Sequence, residues 1–339
     1  MRSPWTSYSS LFLLLLLLAL VILPQPSSSS YLNFCSSRQP RDIYRIIGGR
    51  SATITKWPWQ ALFFNFIGAG YGTMCGATVL NDEWLLTAAH CAGNVSASSY
   101  VNVGVASLSK ARKTLKIRRV VVHPQFDVST VLNDIALIQT ATKIPLGNQV
   151  RAVCLARDDE PLLDAAKYGV VTGFGIFLAP LSSPSAQPIV DIFSLQTSDE
   201  LRETNVKLMP TQQCARTWQR LSGGQTRVTS KQLCAGSYMH GTAPGDSGGP
   251  LHVADPFGRF VQVGITSFGA NGVEGIIDQE TYPGVYTRVS PFIPWIQAVV
   301  GYEERYPSPN SVSSLHRHVS CYALIIFSVS FHLAQSLVL

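Results

Sequence analysis

Three short segments of the chain hold residue types able to work together on a carbonyl group. His90 lies in TAAHC, Asp134 in NDIAL and Ser247 in GDSGGP. A serine hydroxyl is a weak nucleophile at neutral pH and needs a base beside it. An imidazole can take that proton and later hand it to a leaving amine, provided a carboxylate holds its other nitrogen in the right tautomer. Singly, the segments differ in weight. A histidine after an apolar strand is more often structural, and an aspartate before one is usually a turn or cap residue. GDSGGP is more specific, because glycines around an Asp-Ser pair describe a tight turn where backbone must approach a ligand closely. The oxyanion formed at an attacked carbonyl needs preorganised donors, and the backbone N–H groups of Gly245 and Ser247 can supply them. In this order the three segments point to acyl transfer, with Ser247 as nucleophile, His90 as base and Asp134 as the group that orients it.

The elements that carry these residues read as strands. From Ile46 to about Val300 the chain alternates short apolar runs with Gly, Pro, Asn and Ser. WQALFFNFI, ATVL, WLLTAAH, RRVVVH, DIALIQT, GVVTGFG, RFVQVGITSFG and GVYTRV are examples, and this rhythm predicts an all-β barrel or sandwich. One helix is expected at the end, in SPFIPWIQAVVGY. There Ser290 is a candidate cap, Pro291 suits the first turn, and Phe292, Trp295, Ile296 and Val299 share an apolar face. The stretch Ala179–Pro188 reads as an exposed loop. Only 14% of the 339 residues are charged, too few for a disordered chain. The net charge of +6 is modest. Its one concentration, Lys110, Arg112, Lys113, Lys116, Arg118 and Arg119, alternates in part with apolar residues. That suits a solvated strand edge better than a nucleic-acid or heparin-like site. No metal-ligand cluster or phosphate-cradling loop is apparent, so no cofactor is expected.

These motifs closely resemble those of the chymotrypsin/trypsin family of serine proteases. The chain order His, Asp, Ser matches this family and not the α/β-hydrolases or subtilisins; the triad roles above are the ones worked out for it. The resemblance covers about Ile46 to Val300. It implies two packed antiparallel β-barrels, chymotrypsin-like, with a C-terminal helix and the triad in the cleft between them. It also implies peptide-bond hydrolysis, with protein or peptide substrates and serine-protease inhibitors as partners. The alternative is a catalytically silent homologue that acts as a binding or activator protein; the complete triad argues against it.

By the same resemblance, RIIGG (Arg45–Gly49) looks like an activation site. Cleavage after Arg45 by an activating protease would free the α-amino group of Ile46 to pair with Asp246. Family positions suggest the bridges Cys75–Cys91, Cys214–Cys234 and Cys35–Cys154, leaving Cys321 as the odd one of seven cysteines. Two bridges common in the family are missing, and for each both partners are absent. One would join Ala243 to the cysteine-free loop Ala270–Tyr282, so the pocket wall is expected to be more mobile. The residue that sets the charge of the specificity pocket is Gly241, six positions before Ser247. Ser267, Gly269 and Gly284 match other substrate-binding positions. The pocket therefore reads as uncharged, roomy and apolar, suited to apolar or aromatic P1 residues. Glu274, Asp278 and Glu280 read as solvated loop charges, and His240 sits beside the floor with no assigned role.

The termini suggest export. Residues 11–23, LFLLLLLLALVIL, suit a signal-peptide core, with a retained signal anchor as the alternative. The chain then divides into a signal peptide (1–28), a pro-segment (29–45), a protease domain (46–302) and a C-terminal extension (303–339). The tail Tyr322–Leu339 fits a glycosylphosphatidylinositol signal with Ser311 as candidate site; a retained span and a free extension stay open. Asn94 heads the only N-x-S/T sequon and is a candidate glycosylation site beside His90.

Overall fold

The computed structural model describes residues 49–68, 71–111, 114–178 and 195–301. The expected signal peptide, Cys35, Arg45, Ile46, Ser311, Cys321 and the tail lie outside these residues, as do Arg112, Lys113 and the loop Ala179–Pro188.

Two closed six-stranded antiparallel β-barrels make up the body of the chain. The first consists of β2 (Gln60–Gly68), β3 (Tyr71–Val79), β4 (Trp84–Thr87), β5 (Tyr100–Val103), β6 (Thr114–Val122) and β7 (Ala136–Thr140), in the closed order β2-β3-β4-β7-β6-β5. The second is built from β9 (Tyr168–Gly173), β12 (Arg202–Met209), β13 (Gln232–Ala235), β14 (Pro250–Ala254), β15 (Phe260–Phe268) and β16 (Gly284–Arg288). Its ring runs β12-β13-β16-β15-β14-β9 and returns to β12. Closure leaves each barrel without a free edge. Two short strands add to the second sheet: β1 (Arg50–Ser51) on β12, and β8 (Cys154–Leu155) parallel to β15. A hairpin, β10 (Ile176–Leu178) with β11 (Leu195–Thr197), stands apart.

The sequence pattern explains the layers. Every residue of WLLT in β4 and of ALIQT in β7 is buried, as expected for strands covered on both faces. In β6, Lys116 and Arg118 are exposed while Leu115 and Ile117 are half-buried. This strand pairs with both β5 and β7, so the basic residues lie on a barrel's outer face and not on an edge. Arg119 donates to Gln139 Oε1 at 2.8 Å and stacks over Trp84. The second barrel closes over Val171, Val206, Leu251, Val263 and Tyr286.

Polar side chains tie the barrels together. Thr78 Oγ1 donates to Gln262 Oε1 at 2.8 Å, and Thr172 Oγ1 to Gln60 Oε1 at 2.6 Å. The indole N–H of Trp59 donates to His252 Nε2 at 2.7 Å. Burial pushes the His252 pKa down to about 3, so its imidazole is neutral and free to accept that bond.

Four helices complete the described chain: α1 (Glu160–Ala165), α2 (Thr211–Leu221), α3 (Gly272–Ile277) and α4 (Ile293–Val300). α4 is the expected C-terminal helix, preceded by a 3₁₀ turn at Ser290–Phe292. Ser290 does not cap it: its hydroxyl donates to Asp159 Oδ1 at 2.8 Å, where Arg288 also binds. The bridges Cys75–Cys91 and Cys214–Cys234 are formed, the second fastening α2 to β13. Cys154 is also disulfide-bonded.

Candidate functional site

His90 opens a 3₁₀ turn directly after β4, and its neighbour Cys91 is bridged to Cys75 on β3. The imidazole is partly open to solvent, while Asp134 is fully buried. Asp134 holds His90 twice: Oδ1 accepts the His90 backbone N–H at 2.9 Å, and Oδ2 meets Nδ1 at 2.7 Å. A neutral imidazole that donates from Nδ1 carries its lone pair on Nε2, the nitrogen a base must use. The second barrel completes the carboxylate's shell. Ser267 Oγ donates to Asp134 Oδ2 at 2.6 Å, and Thr287 Oγ1 donates to the Asp134 carbonyl at 2.9 Å.

Ser267 reaches Asp134 because β15 carries one residue too many there. Thr266 faces Tyr286 and Phe268 faces Val285, which leaves Ser267 unmatched. Such bulges re-aim side chains. The sequence placed Ser267 among the substrate-binding residues; its hydroxyl is spent on Asp134, which leaves only its backbone for a substrate. Thr287 was missed. Its nearest signal was a strand, GVYTRV, that reads simply as core.

Ser247 lies on a loop pressed against the His90 segment. The Ser247 carbonyl accepts the Gly76 N–H at 2.7 Å. Gly248 has φ +77°, and a Cβ there would meet Thr87 Oγ1 at 2.3 Å. A Cβ on Gly76 would lie 2.6 Å from the Gly249 Cα. Backbone thus meets backbone with no room for a methyl group. Along this loop the N–H groups of Asp246, Gly248 and Gly249 are bonded to Ala243, Thr266 and Asp246 carbonyls. Among the described residues, the N–H groups of Gly245 and Ser247 have no such acceptor. Both expected oxyanion donors are therefore unspent. Among the described residues no hydrogen bond joins Ser247 Oγ to His90 Nε2; Nε2 lies 3.6 Å from Cys91 Sγ. The sulfurs near His90 are joined in the bridge, so this grouping offers a metal no thiolate.

Asp246 packs against Gly173 and Gly175. Its carboxylate accepts the N–H groups of Gly175 at 2.8 Å and Ala243 at 3.0 Å. Burial pushes its pKa up to about 6 despite these two bonds. It borders a cavity of about 80 Å³ that Gly49, Gly175 and Ala243 also line. Gly49 is held there because Arg202 Nη2 donates to its carbonyl at 2.8 Å. The next residue, Arg50, pairs with Glu203, which also binds Lys56 and Trp57.

Among the expected pocket residues, Gly269 has open space beside it and Gly284 is buried on β16. The space beside Gly241 is not empty: a Cβ there would sit 1.8 Å from Gln279 Oε1. Gln279 was not singled out in the sequence. His240 faces Thr204, with Oγ1 2.7 Å from Nδ1. Glu274 and Glu280 are exposed, Glu280 pairing with Lys207 at 3.3 Å. Asn94 is exposed just past the His90 turn.

Comparison with known proteins places these features. The family described as Trypsin matches residues 46–296. The chain is 32% identical over 262 residues to "Serine proteinase stubble" of Drosophila melanogaster, covering 74% of this chain and 30% of that protein. It is 31% identical over 273 residues to "Transmembrane protease serine 7" of Mus musculus, covering 78% of this chain and 29% of that protein. The chain thus spans about 30% of the length of these curated relatives.

The close approach of the barrels gives a test. Gly76→Ala should lower the unfolding free energy by about 1–3 kcal/mol, because the three atoms nearest the new methyl group are all backbone. Gly93→Ala, with nothing within 4 Å of its Cβ, is the control and should change little. Urea unfolding measures both.

Proposed function

The chain belongs to the trypsin family of serine proteases, and on that premise we propose that it is an endopeptidase that hydrolyses peptide bonds by acyl transfer. The observation that carries this reading is the buried Asp134 carboxylate, 2.7 Å from His90 Nδ1, with Gly248, next to Ser247, pressed against Thr87 and Ala88 just before His90. His90 Nε2 takes the Ser247 proton as Oγ attacks the scissile carbonyl. The Gly245 and Ser247 N–H groups receive the oxyanion, and the imidazolium then protonates the leaving amine. Catalytic hydrogen bonds are often long without substrate, and the Ser247–His90 bond forms as the site closes. A fluorophosphonate probe should label the processed wild type at Ser247. Ser247→Ala should carry no label and lose about a millionfold in turnover. A silent homologue gives an unlabelled wild type.

We further propose activation by cleavage after Arg45. Ile46 is three residues from Gly49 in sequence, a reach of about 10 Å, so a freed ammonium can reach the cavity that Asp246 borders. A buried carboxylate without a cation is unfavourable, and the inserted ammonium supplies one. A carboxyl whose folded pKa is raised contributes stability in full below its ordinary 3.8 and loses it as pH rises through about 6. The unprocessed chain should therefore lose about 3 kcal/mol of unfolding free energy from this group between acid and neutral pH. The processed chain should not. Arg45→Gln should stay inert and keep the loss; an uncleaved Arg45→Gln protein with full activity would overturn the zymogen reading.

Its P1 preference is for uncharged, apolar or aromatic side chains, since Gly241 puts no charge at the pocket floor. Secretion, with a lipid anchor at the C-terminal extension, completes the proposal. Among the described residues no helix is long and apolar enough to cross a membrane. Phosphatidylinositol-specific phospholipase C should release the protein from cells, and retention after treatment excludes this anchor.

A further inference from the structure

At Gly241, the position that the family resemblance makes the pocket floor, the space is filled by Gln279 from a different loop, and both residues line the same cavity as Asp246. Gly241 and Gly284 have no side chains, yet ideal Cβ atoms on them would lie 1.8 Å and 3.4 Å from one atom, Gln279 Oε1. The carboxamide therefore takes the volume that a floor side chain at Gly241 would fill. It is buried, and its polar atoms are engaged. Nε2 donates to the Thr242 carbonyl at 2.6 Å, and Oε1 accepts the Thr242 N–H at 3.2 Å. A longer contact, 3.4 Å, runs from Nε2 to the Ile276 carbonyl. Both polar backbone groups of Thr242 are thus clasped by one side chain. Further along the same wall, the Thr242 hydroxyl lies 3.4 Å from the hydroxyl of the buried Tyr286.

This clasp joins the segment beside Ala243 to the loop after α3, the two segments that lack cysteines. α3 and Gln279 hold with hydrogen bonds what a covalent bridge would otherwise hold. A neutral amide with both ends committed offers a cation no carboxylate, and its bulk raises the floor.

We propose that Gln279 is a specificity-determining residue: its clasped carboxamide makes the pocket short and uncharged, selecting aliphatic P1 side chains of about leucine length over aromatic and basic ones. This rests on the hydrolase reading above and narrows it. Longer P1 groups must either displace the amide, breaking the bonds to Thr242, or bind without reaching the floor.

The test measures kcat/KM for a peptide set differing only in P1 (Leu, Phe, Arg) with processed wild type, Gln279→Ala and Gln279→Glu. Wild type should prefer Leu. Gln279→Ala deepens the pocket and should raise the Phe:Leu ratio about tenfold or more, the discrimination that a few buried methylenes provide. Gln279→Glu is nearly isosteric, places a carboxylate at the floor and should raise the Arg:Leu ratio. It also keeps the test open if the alanine variant fails to fold. A merely structural clasp predicts the opposite pattern: kcat falls for all three peptides alike and both ratios stay within about twofold of wild type, which overturns the proposal. A wild type that prefers Phe or Arg overturns it too. Fluorophosphonate labelling of each protein separates the two levels of failure, because an unlabelled wild type removes the hydrolase reading itself and this proposal with it.

Discussion

A buried carboxylate in the first barrel organises the site. Asp134 has no solvent contact, so its oxygens must find donors within the protein, and an ion left without them would be penalised by several kcal/mol. The donors come from both barrels: the backbone N–H and ring of His90 from one side, the Ser267 hydroxyl from the other. Thr287 adds a bond to the Asp134 carbonyl. Satisfying this one group sets the ring orientation of His90 and the register of the second barrel against the first at the same time.

The rest of the interface follows the same logic. Gln60, Thr78, Trp59 and His252 are buried polar groups that would have to bond water if either barrel stood alone. Each finds its partner across the interface, so the contact is specific and not merely apolar. Where no side chain fits, glycine lets backbone meet backbone, as at Gly76 and Gly249. Asp246 is the exception. Among the described residues its carboxylate has two backbone donors and pairs with no cation, and burial pushes its pKa up to about 6.

Much of the fold was legible because strands announce themselves locally. WLLT and DIALIQT are apolar runs bounded by turn residues, and both became strands of the first barrel. The helix α2 was not anticipated. Its apolar face is little more than Cys214 and Trp218, one turn apart in an otherwise polar segment, and the disulfide and Pro283 carbonyl that hold them are distant in sequence. Ser290 illustrates a tertiary override: it has the right type and place for a helix cap, yet the buried Asp159 offers its hydroxyl a better partner.

The cysteine pairs and the pocket position of Gly241 rested on the family resemblance, whereas the sequence by itself determined the chemistry available: which residues could act as nucleophile, base and carboxylate, beside a glycine-rich turn. Those properties belong to residue types and local turns, so they survive without coordinates. Only the tertiary structure decided what each group touches. The bulge that turns Ser267 onto Asp134, the cavity that brings Gly49 to Asp246, and the carboxamide of Gln279 over Gly241 each join residues far apart in the chain. Such contacts depend on how two closed barrels pack and on which buried polar atoms need partners, and no local pattern records that.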